Sequence, residues 1–403
     1  MLTVLWQISL ATQLHAINAS LMGVFEEALR SSQIDKIYGS LNGIEGIIKD
    51  NLVVLNDVVK SAEDIELVKT TPATLLGSCR YKMPSPEKDS TVYEKIIETF
   101  KKYDIGAFFY IGGNDSMDTT DKLSKYTLEN GVDVKVIGIP KTIDNDLCFT
   151  DHTPGFGSAA KYLATTMQEI VRDSAVYDLK SVLIVEVMGR HAGWLTASTC
   201  VLHANGETAP HLIYLPEGEF TADKFINDVK AKLNEHNSVI VAVSEGITLD
   251  DADFRSGKVD NFGHAYLSGI GKGLENLVTE RIGCKVRSVE LNVMQRCSSH
   301  LASKTDIDEA ALIGAAGVKA ALAGESGKMM TFIRTSDEPY TAEIGMTDAK
   351  LVANAEKVFP SEWICDNNTN ISSEAHKYFL PLINGEVNIK TKNGLPVHFV
   401  ISK

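Results

Sequence analysis

Six near-continuous apolar runs, separated by segments with helical periodicity, constrain this chain more than any other feature. The runs are TVLWQISL (3–10), AFFYIGG (107–113), VKVIGIP (134–140), SVLIVEVMG (181–189), HLIYLPE (211–217) and SVIVAVSEG (238–246). A strand with one wet face alternates apolar and polar residues, whereas most of these do not, so both of their faces are expected to be covered. Between them, AINASLMGVFEEALRSS (16–32), YEKIIETFKKY (93–103) and SAAKYLATTMQEIVRDS (158–174) place apolar residues on one helical face. Strand and helix alternate, which predicts an α/β fold with doubly wound, mostly parallel sheets. With 403 residues, 44% of them hydrophobic, the chain holds about two to three domains' worth of material, and the element lengths favour two such lobes.

Charge and cysteine usage narrow the partners. Lys plus Arg total 39 against 53 Asp plus Glu, a formal charge of −14, which argues against nucleic acid or an anionic membrane as the main partner. An anionic ligand must then be caught by a local basic pocket. The six cysteines are scattered without a CxxC pair, so neither a zinc site nor a disulfide framework is suggested, and a cytoplasmic location fits. The opening MLTVLWQISLATQ is apolar, yet no Lys or Arg precedes Arg30; it reads as a buried first strand rather than a secretion signal. No apolar run approaches the roughly 20 residues needed to cross a bilayer.

In open α/β sheets ligands bind beyond the carboxyl ends of the strands, so the loops there carry the chemistry. After AFFYI comes GGNDS, where Gly112 and Gly113 let backbone amides approach an anion beside Ser116, and Asn114 and Asp115 offer hard oxygens to Mg²⁺. After VKVIGI comes PKTIDND, in which Asp144 and Asp146 are two apart and face one side of an extended loop, one as a base and the other in support. Lys141 is a compact positive charge suited to a phosphate. A third loop, MGRHAGW, supplies Arg190 as a fork of donors for a phosphoryl group in flight. Glu217, in PEGEF, can accept from sugar hydroxyls, while Arg287 and Arg296 in VRSVELNVMQRCSSH can clamp a second phosphate. GxGxxG is absent, which disfavours a dinucleotide-dependent oxidoreductase. The set points to phosphoryl transfer.

These motifs resemble those of the phosphofructokinase family, and more closely its pyrophosphate-dependent branch. The match runs through INAS (17–20), YGSLNGIEG (38–46), GSCRYK (77–82), GGNDS, PKTIDND, DHTPGFGSAAKY (151–162), EVMGRHAGW, PEGEF, SEG (244–246) and ELNVMQRC (290–297), roughly the first four-fifths of the chain. The resemblance implies two Rossmann-like lobes with the active site in the cleft between them. Residues 1–155 with about 290–325 would form the donor lobe, and residues 156–289 with about 326–403 the sugar-phosphate lobe. It implies that Asp144 is the base for the 1-hydroxyl of fructose 6-phosphate, that Asp146 assists and that Thr142 contacts the phosphoryl group. Met188, Gly189, Arg190 and Glu217 match sugar-phosphate contacts, Arg287 and Arg296 the 6-phosphate clamp, and Arg80 a donor-phosphate contact. Mg²⁺ as cofactor and a homodimer or homotetramer are implied in the same way.

Donor choice turns on two positions. ATP-dependent relatives resemble GGDGS and PGTIDND, where this chain carries Asp115 and Lys141; side chains there obstruct a nucleotide's α-phosphate region and favour pyrophosphate. One departure runs the other way. The family's first strand ends in a Ser-Gly-Gly turn, where this chain has QISLATQ with Ala11 and Thr12 nearest the expected glycines. A Cβ there costs about 1 kcal/mol or more where positive φ or a close phosphate is required. A reshaped working loop, a non-catalytic regulatory relative and an incorrectly assigned N-terminal segment are the three readings of that change. An ATP-dependent kinase is the other alternative.

Overall fold

The structure, a computed structural model, describes residues 2–8, 15–176, 178–249 and 269–401. The strands of its main sheets are β1 (Leu2–Ile8), β2 (Ile34–Ser40), β3 (Leu52–Val54), β4 (Ile105–Gly112), β5 (Lys135–Pro140), β6 (Ser181–Val187), β7 (Leu212–Tyr214), β8 (Ser238–Ser244), β9 (Lys285–Glu290), β10 (Lys328–Asp337) and β11 (Tyr340–Asp348). Each of the six apolar runs overlaps one of them, and β4 and β5 are buried along nearly their whole length, as continuous hydrophobicity requires. Ala11 and Thr12 lie outside the described residues.

Two sheets form. The larger has the order β11-β10-β5-β4-β1-β2-β3, parallel from β10 to β2 and closed by an antiparallel strand at each edge. The smaller, β7-β8-β6-β9, is parallel throughout. Within the stretch from about 326 to 403, expected with the second lobe, β10 and β11 pair with the first sheet. The hairpin β10–β11 joins the first sheet through pairing of Lys328 with Ile137 and Met329 with Gly138. Its side chains Met330 and Phe332 are buried in the apolar core, which anchors the inner half of β10 beside β5.

Five helices matter for the site: α1 (His15–Arg30), α2 (Asn114–Glu129), α3 (Phe156–Ser174), α4 (Lys304–Leu322) and α5 (Glu374–Leu382). A single apolar cluster joins the sheets, running from Phe109 and Ile137 in the first, through Phe156, Leu163 and Met167 of α3, to Val185 and Ala242 in the second. It keeps the loops of both sheets in register. At the start of α3 the buried carboxylate of Asp306, from α4, accepts from Gly155 N (2.7 Å), Ser158 N (3.2 Å) and Ser158 Oγ (2.5 Å). Gly155 has φ +105°, so the side-chain acceptor comes from a distant helix rather than from the capping residue itself.

Candidate active site

Parallel pairing of β4 with β5 sets Gly112 opposite Pro140, and Lys141 N donates to Gly112 O at 3.0 Å. The loops GGNDS and PKTIDND are therefore neighbours because their strands are. GGNDS is not a free loop, however: Gly113 is the residue before α2, and Asn114, Asp115 and Ser116 form its first turn. No side chain caps this helix, whose N-terminus is a natural place for an anion. Among the described residues the buried Asn114 Oδ1 and Ser116 Oγ have no hydrogen-bond partner. Buried oxygens in that state are uncommon and fit a ligand or metal.

The second loop is folded on itself. Asp144 N donates to Thr142 Oγ1 (3.0 Å), and that hydroxyl donates to Asp144 Oδ2 (3.3 Å). Thr142 N bonds Pro154 O at 3.2 Å, and Thr153 Oγ1 donates to Thr142 O at 2.8 Å, so the turn is backed by the segment leading into α3. Lys141 is only 3% exposed. Burial pushes its pKa down to about 8, opposed by the carboxylates of Asp144, Asp146 and Asp115 and reinforced by the guanidinium of Arg296.

Burial also raises Asp144 above the ordinary carboxylate range, while Lys141, Thr142, Arg190 and Arg296 pull it back. Asp146 is pushed up to about 7, by burial first and then by the charges of Asp144 and Glu356. Both carboxylates therefore hold their protons more tightly than a carboxylate in water, and the cations beside Asp144 oppose that shift. The chain's overall −14 charge thus gives way locally to a pocket containing Lys141, Arg190 and Arg296.

The second sheet supplies the opposing wall. After β6, Gly189 adopts φ +135°, and a Cβ on it would lie 2.7 Å from Ala192 O, so glycine is required in MGR. Met188 N donates to Gln295 Oε1 at 3.1 Å. Arg190 stands beside Asp144, and among the described residues its buried Nε has no hydrogen-bond partner. After β8 comes Glu245, which sequence reasoning left without a role although SEG closes a buried strand. Its Oε1 accepts from Gly189 N at 3.5 Å, and burial and then Asp144 push its pKa up to about 7 against the pull of Gly189 N and Arg190. Gly246 lets this turn close: a Cβ there would lie 2.0 Å from Arg190 O.

The charges tie together Asp115, Lys141, Asp144, Asp146, Arg190 and Arg296 of the predicted residues. Three others stand apart. Glu217 Oε1 accepts from Gly193 N and Phe359 N, both at 2.9 Å, so its carboxylate holds the MGRHAGW loop and a C-terminal strap in place. Both of those bonds fall on one oxygen; among the described residues the buried Oε2 has no hydrogen-bond partner, which leaves it for the sugar contact expected from sequence. Arg80 is exposed on the segment before the helix Thr91–Lys102. Arg287 is exposed on β9, an edge strand. Among the described residues no group of three or more His, Cys, Asp and Glu side chains could hold a metal, and no helix is long and apolar enough to cross a membrane.

Comparison with known proteins agrees with this architecture. Residues 10–321 match the family model described as phosphofructokinase. The chain is 40% identical over 390 residues to a pyrophosphate–fructose 6-phosphate 1-phosphotransferase of Methylococcus capsulatus, covering 94% of this chain and 91% of that protein. A protein of the same name from Halomonas elongata is 39% identical over 385 residues, with the same coverage. Among solved structures, a pyrophosphate-dependent phosphofructokinase from Marinobacter aquaeolei superposes with a TM-score of 0.86 at 35% identity, covering 100% of this chain and 98% of that one.

Proposed function

This chain belongs to the phosphofructokinase family, and from that premise we propose that it transfers a phosphoryl group from pyrophosphate to the 1-hydroxyl of fructose 6-phosphate, giving fructose 1,6-bisphosphate and phosphate. The observation that carries the donor assignment is Lys141: a buried ammonium with a depressed pKa, set beside Asp115 and Asp144 next to an uncapped helix N-terminus. A small, highly charged diphosphate suits such a compact positive charge, and a nucleotide would have to fit past both side chains.

Asp144 takes the proton of the 1-hydroxyl as its oxygen attacks, which is typically worth about 10² to 10⁴ in rate. Lys141 and Arg190 face the charge that spreads over the phosphoryl oxygens in flight, and the unengaged Nε of Arg190 supports that role. Thr142 orients Asp144 and contacts the moving group, while Asp146 assists. The backbone at Gly112, Gly113 and Ser116 cradles the donor, with Arg80 reaching it from outside. Met188, Gly189, Glu217, Glu245 and Arg296 hold the sugar phosphate. Arg287, exposed on an edge strand, suits a clamp offered to a second copy of the chain in a homodimer or homotetramer.

The residues present fit Mg²⁺. A divalent ion held by one or two protein oxygens and by substrate phosphates needs no protein cage, and Asp115 with the unpartnered Asn114 Oδ1 provides such a pair. When bound, the ion would neutralise diphosphate charge. Because the leaving group is phosphate, the reaction runs near equilibrium and in either direction, and glycolysis in the cytoplasm is its setting.

The test is fructose 1,6-bisphosphate formation by the purified protein with fructose 6-phosphate, Mg²⁺ and either pyrophosphate or ATP. Turnover with pyrophosphate alone is expected. Equal use of ATP would overturn the donor assignment. Sugar-phosphate binding without turnover would make the chain a non-catalytic subunit.

A further inference from the structure

The turn that carries Asp144 and Asp146 is irregular backbone, and its central residue is buried and left-handed. Asn145 has φ +54° and no exposed surface. Asparagine tolerates this conformation better than most side chains, but nothing in the local backbone enforces it. The enforcing contacts are distant. Asn145 Nδ2 donates to the hydroxyl of Tyr378 at 2.8 Å, across 233 positions of sequence. The same hydroxyl donates to Asp151 O at 2.7 Å. One oxygen thus fastens the middle of the base turn and also the point where the chain heads for α3.

Tyr378 is itself held from several sides. It lies on α5, packed among Trp194, Trp363 and Phe379 with ring centroids 5.3 to 5.6 Å away. The guanidinium of Arg334 covers its ring at 4.5 Å and bonds both Tyr378 O (3.2 Å) and Asp151 Oδ2 (3.0 Å). A rigid hydroxyl therefore meets a turn that lacks regular structure. Lys357 N, which donates to Asp146 O at 2.7 Å, adds a second hold from the same C-terminal region.

We propose that Tyr378 is a positioning residue for phosphoryl transfer: by bridging Asn145 and Asp151 it fixes the turn so that the Asp144 carboxylate meets the sugar hydroxyl. The idea rests on the function proposed above and goes beyond it, by giving a role to a residue of the C-terminal helix α5. Misplacement of a base by about 1 Å can cost about a hundredfold in rate, while binding contacts elsewhere survive. With Lys357 and Thr153 still in place, loss of the hydroxyl alone should cost about tenfold.

The experiment is a double-variant cycle of Tyr378→Phe and Asn145→Gly, glycine being chosen because it keeps positive φ available. Measured well below the unfolding temperature, each single variant should lower kcat about tenfold with both KM values within twofold. The double variant should lose less than twofold more. Full additivity, or a kcat within twofold of the parent in Tyr378→Phe, overturns the proposal. Hydrogen exchange over residues 142–155 gives a readout independent of turnover: it should quicken in Tyr378→Phe, with α2 unchanged. If the parent protein does not turn over, the proposed function fails by itself, and unchanged exchange in that segment would still overturn this inference. Should Tyr378→Phe not fold, Asn145→Gly reads the same contact from the loop side, and a kcat within twofold of the parent there overturns it.

Discussion

Replacing Lys141 by methionine keeps a side chain of similar length in the buried site and removes its charge. Burial holds the ammonium near a pKa of about 8, from 10.5, a depression of about 3 kcal/mol in favour of the neutral amine. A diphosphate beside it reverses that balance: at an effective dielectric of about 20, two unit charges about 4 Å apart attract by about 4 kcal/mol. Losing about 3 to 4 kcal/mol should lower kcat/KM for pyrophosphate by about 10² to 10³ at pH 7. The pH dependence is the sharper signature. A lysine whose pKa is depressed to about 8 is charged below that pH and neutral above it, so the parent's use of pyrophosphate falls as pH rises through 8. At pH 9.5 only about 3% of it is protonated, a loss of about thirtyfold that the variant cannot show. The ratio between the two proteins should shrink accordingly, and ionisation of pyrophosphate, common to both, cancels. Lys141 is also the foremost charge opposing the upward shift of Asp144, so the acid limb should move to higher pH in the variant. Initial rates of fructose 1,6-bisphosphate formation, at saturating fructose 6-phosphate and constant ionic strength from pH 6 to 10, measure all three. An alkaline limb near pH 8 that survives in Lys141→Met, or a loss below threefold at pH 7, would refute the reasoning.

Asp144→Ala should reduce turnover by about 10² to 10⁴ while calorimetry still detects fructose 6-phosphate binding; binding lost together with turnover would contradict a role as base. Glu245→Gln should raise KM for fructose 6-phosphate about tenfold at pH 8 and leave KM for pyrophosphate within twofold. At pH 6 the effect should fade, because a carboxyl with pKa about 7 is already protonated there. His152→Asn tests stability. Burial opposes a charge on His152, but its bonds to Asp151 (2.9 Å) and Glu309 (2.7 Å) outweigh it and raise the pKa. A histidine raised in the folded state contributes fully below its unfolded pKa of about 6.5 and loses that contribution as pH rises through the folded value. The parent's urea midpoint should therefore exceed the variant's most at pH 6, and the gap should narrow on the alkaline side.

Short-range pattern sufficed for much of this protein. Unbroken apolar runs can only be strands covered on both faces, and the charged or glycine-rich residues just after them can only be solvent turns or a site. That reasoning reached β4, β5, β6 and β8, and it selected Lys141, Asp144, Asp146, Arg190 and Arg296, which the fold brings into one charged cluster. Tertiary structure decided what depends on chain segments far apart. Glu217 and Glu245 each follow a buried strand and look alike in sequence, yet one meets the backbone of Gly193 and Phe359 and the other faces Gly189, Arg190 and Asp144. The hairpin β10–β11 could have completed either sheet until Lys328 and Met329 paired with Ile137 and Gly138 of β5. Tyr378 is an ordinary helical aromatic until folding sets its hydroxyl against Asn145. The proton affinities that suit Lys141 and Asp146 to their tasks likewise come from burial, which no local pattern encodes: periodicity and turn chemistry act over a few residues, whereas desolvation and long-range pairing exist only once the chain has closed on itself.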